Sequence, residues 1–164
     1  MDNLIKKAKL KDADSFVQLM ELHINSMYKS AWVYLKNEND VADAIQDTIL
    51  TCYEKLNTLR NEKFFKTWML RILINKCNDI LRQRQNYIST DEEITEEFIE
   101  RDYELCEWKE MLKGLDEKYR IIILLYYSEG LKVKEISELL QLNKNTVLTR
   151  LARAKEQLKK EYGF

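Results

Sequence analysis

The segment 63–82, KFFKTWMLRILINKCNDILR, places cations and flat amides at helical spacing. Lys66, Arg71, Asn75, Asn78 and Arg82 fall largely to one side of the pattern. Phe65, Met69, Ile72, Leu73, Lys76 and Ile80 recur at steps of three and four and form a mostly apolar stripe. Cations neutralise phosphates and amides meet base edges, so the polar side suits nucleic acid. A solvated charged helix shares this composition. Aromatic residues such as Phe64, Phe65 and Trp68 at helical spacing are more often core than base-stacking platforms.

A second candidate lies near the C-terminus. A short helix is expected over 133–140, with Val133, Ile136, Leu139 and Leu140 apolar. The turn QLNK follows, then a helix to about Glu161 with Val147, Leu151, Ala154 and Leu158 inside. This is helix-turn-helix spacing, in which the second helix enters the major groove and its first residues meet base edges. Asn143 is suited to cap that helix. Lys144, Asn145, Leu148, Thr149, Ala152 and Arg153 then fall on or near its exposed face. The plainer reading is a helical hairpin with a solvated basic side.

A third set is acidic. Asp40, Asp43 and Asp47, with Gln46, share one helix. A catalytic or metal-binding pair is conceivable there, but charge compensation at a helix N-terminus and a docking surface for a basic partner are favoured. There is no glycine-rich phosphate loop, nucleophile–base set or His/Cys cluster, so nothing supports an enzyme, a metal or a cofactor.

These groups must be positioned by helices. The 164 residues include no proline and three glycines, too few for a turn-rich β fold. No apolar run is long enough for a membrane span, and the N-terminus lacks the apolar core of a signal peptide. Cys52, Cys77 and Cys106 are widely spaced and odd in number, which suits reduced thiols packed among helices. The lone histidine, His23, is read as a packing or surface residue rather than a catalytic or metal-binding one. A net charge of −1 conceals three blocks: +6 over 55–84, −7 over 91–104 and +5 over 144–160.

A long helix is expected over 14–36 after a short N-terminal one. Asn39 or Asp40 is expected to cap a helix over 41–56, with Val41, Ala44, Ile45, Thr48, Ile49, Cys52, Tyr53 and Leu56 inward. The loop 57–62 leads to the helix of 63–82, which extends to about Gln85. The acidic block reads as a linker. Helices over 106–115 and 117–128, the latter with Tyr119, Ile122, Ile123 and Tyr126 inward, precede the helical pair. The fold class is all-α, with two small helical domains, 1–86 and 106–164, joined by an acidic linker over 87–105.

In order and spacing these segments resemble a bacterial sigma factor of the extracytoplasmic-function group, built from sigma regions 2 and 4 alone. DVADAIQDTIL at 40–50 and FKTWMLRILIN at 65–75, followed by Asp79 and Arg82, are similar to region 2 signatures. LKGLDEKYRIIILLYYSEGL at 112–131, EISELL at 135–140, and TVLTR at 146–150 followed by Arg153 and Ala154, are similar to region 4. The resemblance covers nearly the whole chain.

The resemblance implies a region 2 bundle and a region 4 helix-turn-helix that bring core RNA polymerase to promoter DNA. Asp40, Asp43, Gln46 and Asp47 would dock on the polymerase clamp. Asn57, Leu59, Arg60, Lys63, Lys66, Arg71, Asn75 and Asn78 would read the −10 element as single strand, with a flipped base in a pocket near Leu59. Lys144, Asn145, Thr146, Thr149, Arg150 and Arg153 would read the −35 element as duplex. The acidic linker would run through the polymerase channels. An anti-sigma factor would control the chain, which would act in the cytoplasm and not be membrane-inserted. The chain departs from the pattern at Asn145 (usually Gly), Leu148 (usually Lys or Arg), Asp116 (often Pro) and Val41-Ala42 (usually with an acidic residue). Two rivals are a stand-alone helix-turn-helix regulator, which leaves the region 2 likeness unexplained, and a helical adaptor that binds protein only.

Overall fold

The structure is a computed structural model describing residues 1–86 and 103–163. Every regular element among the described residues is helical, and the chain divides into two compact units, Met1–Asp91 and Glu92–Phe164. No helix among the described residues is long and apolar enough to cross a membrane.

The first unit holds α1 (Asp2–Lys9), α2 (Ala13–Glu21), α3 (Ile24–Leu35), α4 (Glu38–Lys55) and α5 (Phe65–Asn86). Two 3-10 turns, Leu56–Thr58 and Glu62–Phe64, join α4 to α5. Helices α3, α4 and α5 pack against one another, and α1 packs on α2. Ile5, Leu19, Met27, Leu56, Phe65, Met69, Leu70 and Leu73 are buried in this core. The inward side of α5 is made by Phe65, Met69, Leu70, Leu73, Ile74 and Cys77, so it is rotated from the expected stripe: Ile72, Lys76 and Ile80 are only half-buried.

The single helix expected over 14–36 is two helices, broken at Leu22–His23. His23 leaves helical geometry (φ −113°, ψ 0°), and its Nδ1 lies 2.8 Å from the Leu19 carbonyl oxygen. The ring thus partners a carbonyl at the end of α2, one that a continuing helix would have paired with a backbone N–H. Its other contact is the Phe65 ring, met edge-on at 5.1 Å. His23 is buried and serves packing, which decides between the packing and surface roles expected for it.

The next corner also differs from expectation. Lys36 adopts the left-handed conformation (φ 50°), and Asn37 caps α4: its side-chain oxygen accepts the Asp40 N–H at 3.0 Å. Helix α4 therefore starts at Glu38, and neither Asn39 nor Asp40 is the cap. Tyr53, expected inward, is substantially exposed, with its ring edge on Phe16 and the Lys11 ammonium 4.2 Å from its centroid. Cys52 and Cys77 are buried, and burial pushes both thiols up to about 12, so they stay protonated and poorly nucleophilic near neutral pH.

The second unit holds α6 (Tyr103–Lys113), α7 (Glu117–Ile123), α8 (Val133–Leu140) and α9 (Lys144–Tyr162). The linker expected over 87–105 lies outside the described residues up to 102, and α6 starts before residue 106. Leu112, Leu115, Ile122, Leu124, Leu125, Ile136, Val147 and Ala154 form the core. The helix expected over 117–128 changes character midway. Leu124–Ser128 is one π-helical turn, closed by the Glu129 N–H donating to the Leu124 carbonyl at 3.0 Å. Tyr126 becomes half-buried and Tyr127 largely exposed. Gly130, at φ 68°, turns the chain into α8 in a conformation a Cβ resists.

Helices α8 and α9 match the expected pair. Gln141 ends α8 in the left-handed region (φ 54°), and the Ser137 hydroxyl donates to the Leu142 carbonyl at 2.6 Å. The side-chain oxygen of Asn143 accepts the Asn145 N–H at 2.8 Å, which is the cap read from the sequence. Asn143→Ala is expected to remove about 1 kcal/mol from the start of α9. Amide exchange in its first turn should speed up by about fivefold; unchanged exchange would show that the cap contributes nothing.

Candidate functional site

The polar groups on α5 are oriented by what the helix buries. With Leu70, Leu73, Ile74 and Cys77 held in the core, Arg71 and Asn75 are exposed, and Asn78 is half-buried beside them. At 100° per residue these three share one stripe, with Arg82 one turn beyond and ion-paired to Asp79 at 3.4 Å. Lys66 does not join them: it lies roughly 140° around the helix from Arg71. Trp68 is half-buried, its ring tilted on Phe65 with centroids 5.9 Å apart, so it packs beneath the first turn rather than standing free as a stacking platform.

The loop before α5 presents Asn57, Arg60 and Lys63, all exposed. Leu59 is different. It is 6 % exposed and anchors the loop into the core, so its side chain offers no open surface. Asn61 fixes the approach to α5, its side-chain oxygen accepting the Lys63 N–H at 3.0 Å. Among the eight residues expected to meet a single strand, the structure therefore gathers two groups: Asn57, Arg60 and Lys63 on the loop, and Arg71, Asn75 and Asn78 on α5.

The acidic set on α4 also splits. Asp43, Gln46 and Asp47 are exposed on one face. Asp40 instead pairs with Arg84 near the end of α5, and Arg84 also donates to the Leu35 carbonyl at 3.3 Å. That ion pair ties the α3–α4 corner to α5, so Asp40 is internally engaged. Among the described residues no group of three or more His, Cys, Asp or Glu side chains is placed to hold a metal ion. The sequence reading missed Leu50. It follows Asp43, Gln46 and Asp47 on the same face and is 62 % exposed, giving the acidic face an apolar end. Counting that face one turn further would have found it.

On α9, burial of Val147, Leu151 and Ala154 turns Lys144, Asn145, Leu148, Thr149, Ala152 and Arg153 outward. Thr146 and Arg150 are half-buried on one flank of that face. The Thr149 hydroxyl donates back to the Asn145 carbonyl at 2.8 Å, leaving its oxygen lone pairs to face outward. Leu148 is 51 % exposed among these polar groups, a position suited to a thymine methyl.

Comparison with known proteins gives two family matches. Residues 19–87 match the family described as sigma-70 region 2, and residues 107–158 match sigma-70, region 4. The RNA polymerase sigma factor SigV of Bacillus subtilis (strain 168) is 36% identical over 136 residues, covering 80% of this chain and 81% of that protein. The ECF RNA polymerase sigma factor SigW of the same strain is 25% identical over 96% of this chain and 94% of its own. Among solved structures, that of CnrH in complex with the cytosolic domain of CnrY superposes with a TM-score of 0.69 at 24% identity, covering 99% of this chain and 96% of that one. The sigma factor RpoE in complex with the anti-sigma factor NepR from Bartonella quintana gives 0.70 at 19% identity, over 90% and 96%.

Proposed function

This chain belongs to the sigma-70 family, in its extracytoplasmic-function group, and on that premise we propose that it docks on core RNA polymerase and directs it to promoters. It acts as an initiation factor with no catalysis of its own, and its place of action is the cytoplasm. Residues 1–86 serve as region 2, 87–105 as the linker and 106–164 as region 4.

The observation that carries this reading is the separation of two polar surfaces with different chemistry, one in each unit. Arg71, Asn75 and Asn78 on α5, with Asn57, Arg60 and Lys63 on the loop, offer cations and amides to a single strand. Helix α9 offers Lys144, Asn145, Thr149 and Arg153 to duplex DNA, with Thr146 and Arg150 at its edge. A flipped base would sit against the 57–63 loop, with buried Leu59 as its support rather than a contact. Capturing the base offsets part of the unstacking cost, so recognition and opening become one event. Asp43, Gln46 and Asp47 serve the clamp, with Leu50 supplying an apolar contact; Asp40 serves the fold. Two similar folds were solved with a protein partner bound, CnrH with the cytosolic domain of CnrY and RpoE with the anti-sigma factor NepR. They support the further reading that an anti-sigma factor controls this chain.

Run-off transcription with core polymerase on genomic fragments tests the proposal. The expected result is a set of defined start sites present only with this chain. Starts that do not depend on it would leave the stand-alone regulator as the better reading. Binding of the −10 single strand by the holoenzyme should also fall with salt. The slope of log K against log salt is expected to be about −2 to −3, from three or four phosphate contacts. A flat response would favour the protein-only adaptor.

A further inference from the structure

Helix α1 carries none of the residues assigned above, yet it makes two directed polar contacts to the segment joining α4 and α5. The Lys9 ammonium donates to the Leu59 carbonyl at 2.6 Å and pairs with the Glu62 carboxylate at 2.8 Å. Lys11, just past the end of α1, donates to the Tyr53 carbonyl at 2.8 Å. Where α4 ends, its last carbonyls have no helical partner, and the 3-10 turns that follow leave others open. The two lysines occupy two of these carbonyls. Lys9 and Glu62 are both about four-fifths buried, at 19% and 21% side-chain exposure.

The placement of the Lys9 contacts is the informative point. Leu59 follows the first 3-10 turn and Glu62 opens the second, so one ammonium holds both ends of the short bend that contains Arg60 and Asn61. The Lys9 hydrogen bond holds the Glu62 carboxyl below its ordinary range. A loop that must receive an extruded base binds more tightly, and discriminates better, when its shape exists beforehand.

We propose that Lys9, through Glu62 and the Leu59 carbonyl, is a positioning residue that pre-forms the 57–63 loop for base capture. The proposal rests on the single-strand role of that loop, and it makes α1 part of the −10 reader without touching DNA. Lys7, two residues before Lys9 on α1 and so roughly 160° around the helix from it, is exposed and supplies a matched loss of charge.

The test uses holoenzyme and a labelled nontemplate-strand oligonucleotide from a promoter mapped by run-off. Four versions differ in the base that the loop reads. Lys9→Met is expected to weaken the preferred oligonucleotide by about 3- to 10-fold and to flatten the preference among the four bases. Glu62→Gln should flatten it less, Lys9→Arg should restore it, and Lys7→Met should weaken all four equally. Binding of the −35 duplex should not change. If Lys9→Met lowers all four equally, as Lys7→Met does, or changes nothing, the proposal is overturned. Should Lys9→Met fail to fold, an unflattened preference in Glu62→Gln overturns it instead. A wild-type holoenzyme with no preference among the four bases sinks the single-strand role itself, whereas a wild-type preference untouched in the variants sinks only the positioning role.

Discussion

Phe65→Ala is expected to destabilise the first unit by about 3–5 kcal/mol, the range for removing a buried aromatic ring. Phe65 opens α5 at 2 % exposure, between the His23 ring at 5.1 Å and the Trp68 ring at 5.9 Å. Its loss leaves a cavity where three rings meet, and two of them cannot close it. His23 is held by the Leu19 carbonyl, and Trp68 by its place on the helix. Because domain stability is commonly only 5–15 kcal/mol, such a loss takes a large share of it. A urea midpoint for the first unit that matches wild type would show that the ring junction contributes little. The consequence for function is direct: Arg71 and Asn75 are presented by the same helix, so promoter activity should fall with the folded fraction.

Asn75→Ala is expected to weaken recognition of the −10 single strand by about 1–3 kcal/mol, the cost of one good base contact. Asn75 is exposed, one turn beyond Arg71, so its loss leaves the core intact and the urea midpoint unchanged. Arg153→Ala should do the opposite, lowering affinity for the −35 duplex and leaving the single strand alone. Fork-junction templates carrying one element or the other separate the two effects. Equal losses on both templates would mean that the two surfaces are not assigned to different elements, and no loss on either would place the DNA contacts elsewhere.

Helix identity could be read from the chain because apolar spacing and capping chemistry are local. The bounds of α8, the Asn143 cap and the exposed face of α9 all follow from residues within a few positions of one another. Order and spacing across segments were legible for the same reason, and they led to the family. The errors arose where a local pattern admits two outcomes. The run from Asp14 to Lys36 is compatible with one helix, and it is broken because a buried ring at His23 takes the Leu19 carbonyl and meets Phe65, forty-two residues onward. The π-helical turn at Leu124–Ser128 is likewise invisible to a 3.6-residue period.

What the sequence by itself determined is the all-helical class, the two basic surfaces, the helix-turn-helix and the family. The first three depend on residue type and periodicity along one segment, and the family on a resemblance carried by several segments in order. What only the tertiary structure decided is which polar residues remain available. Asp40 pairs with Arg84, Leu59 points into the core, Lys66 lies away from the Arg71 stripe, and Leu50 emerges on the acidic face. Lys9, one of many lysines in the sequence, reaches a carbonyl fifty residues away. Such pairings follow from how helices pack, and packing brings together side chains whose separation along the chain carries no periodic signal.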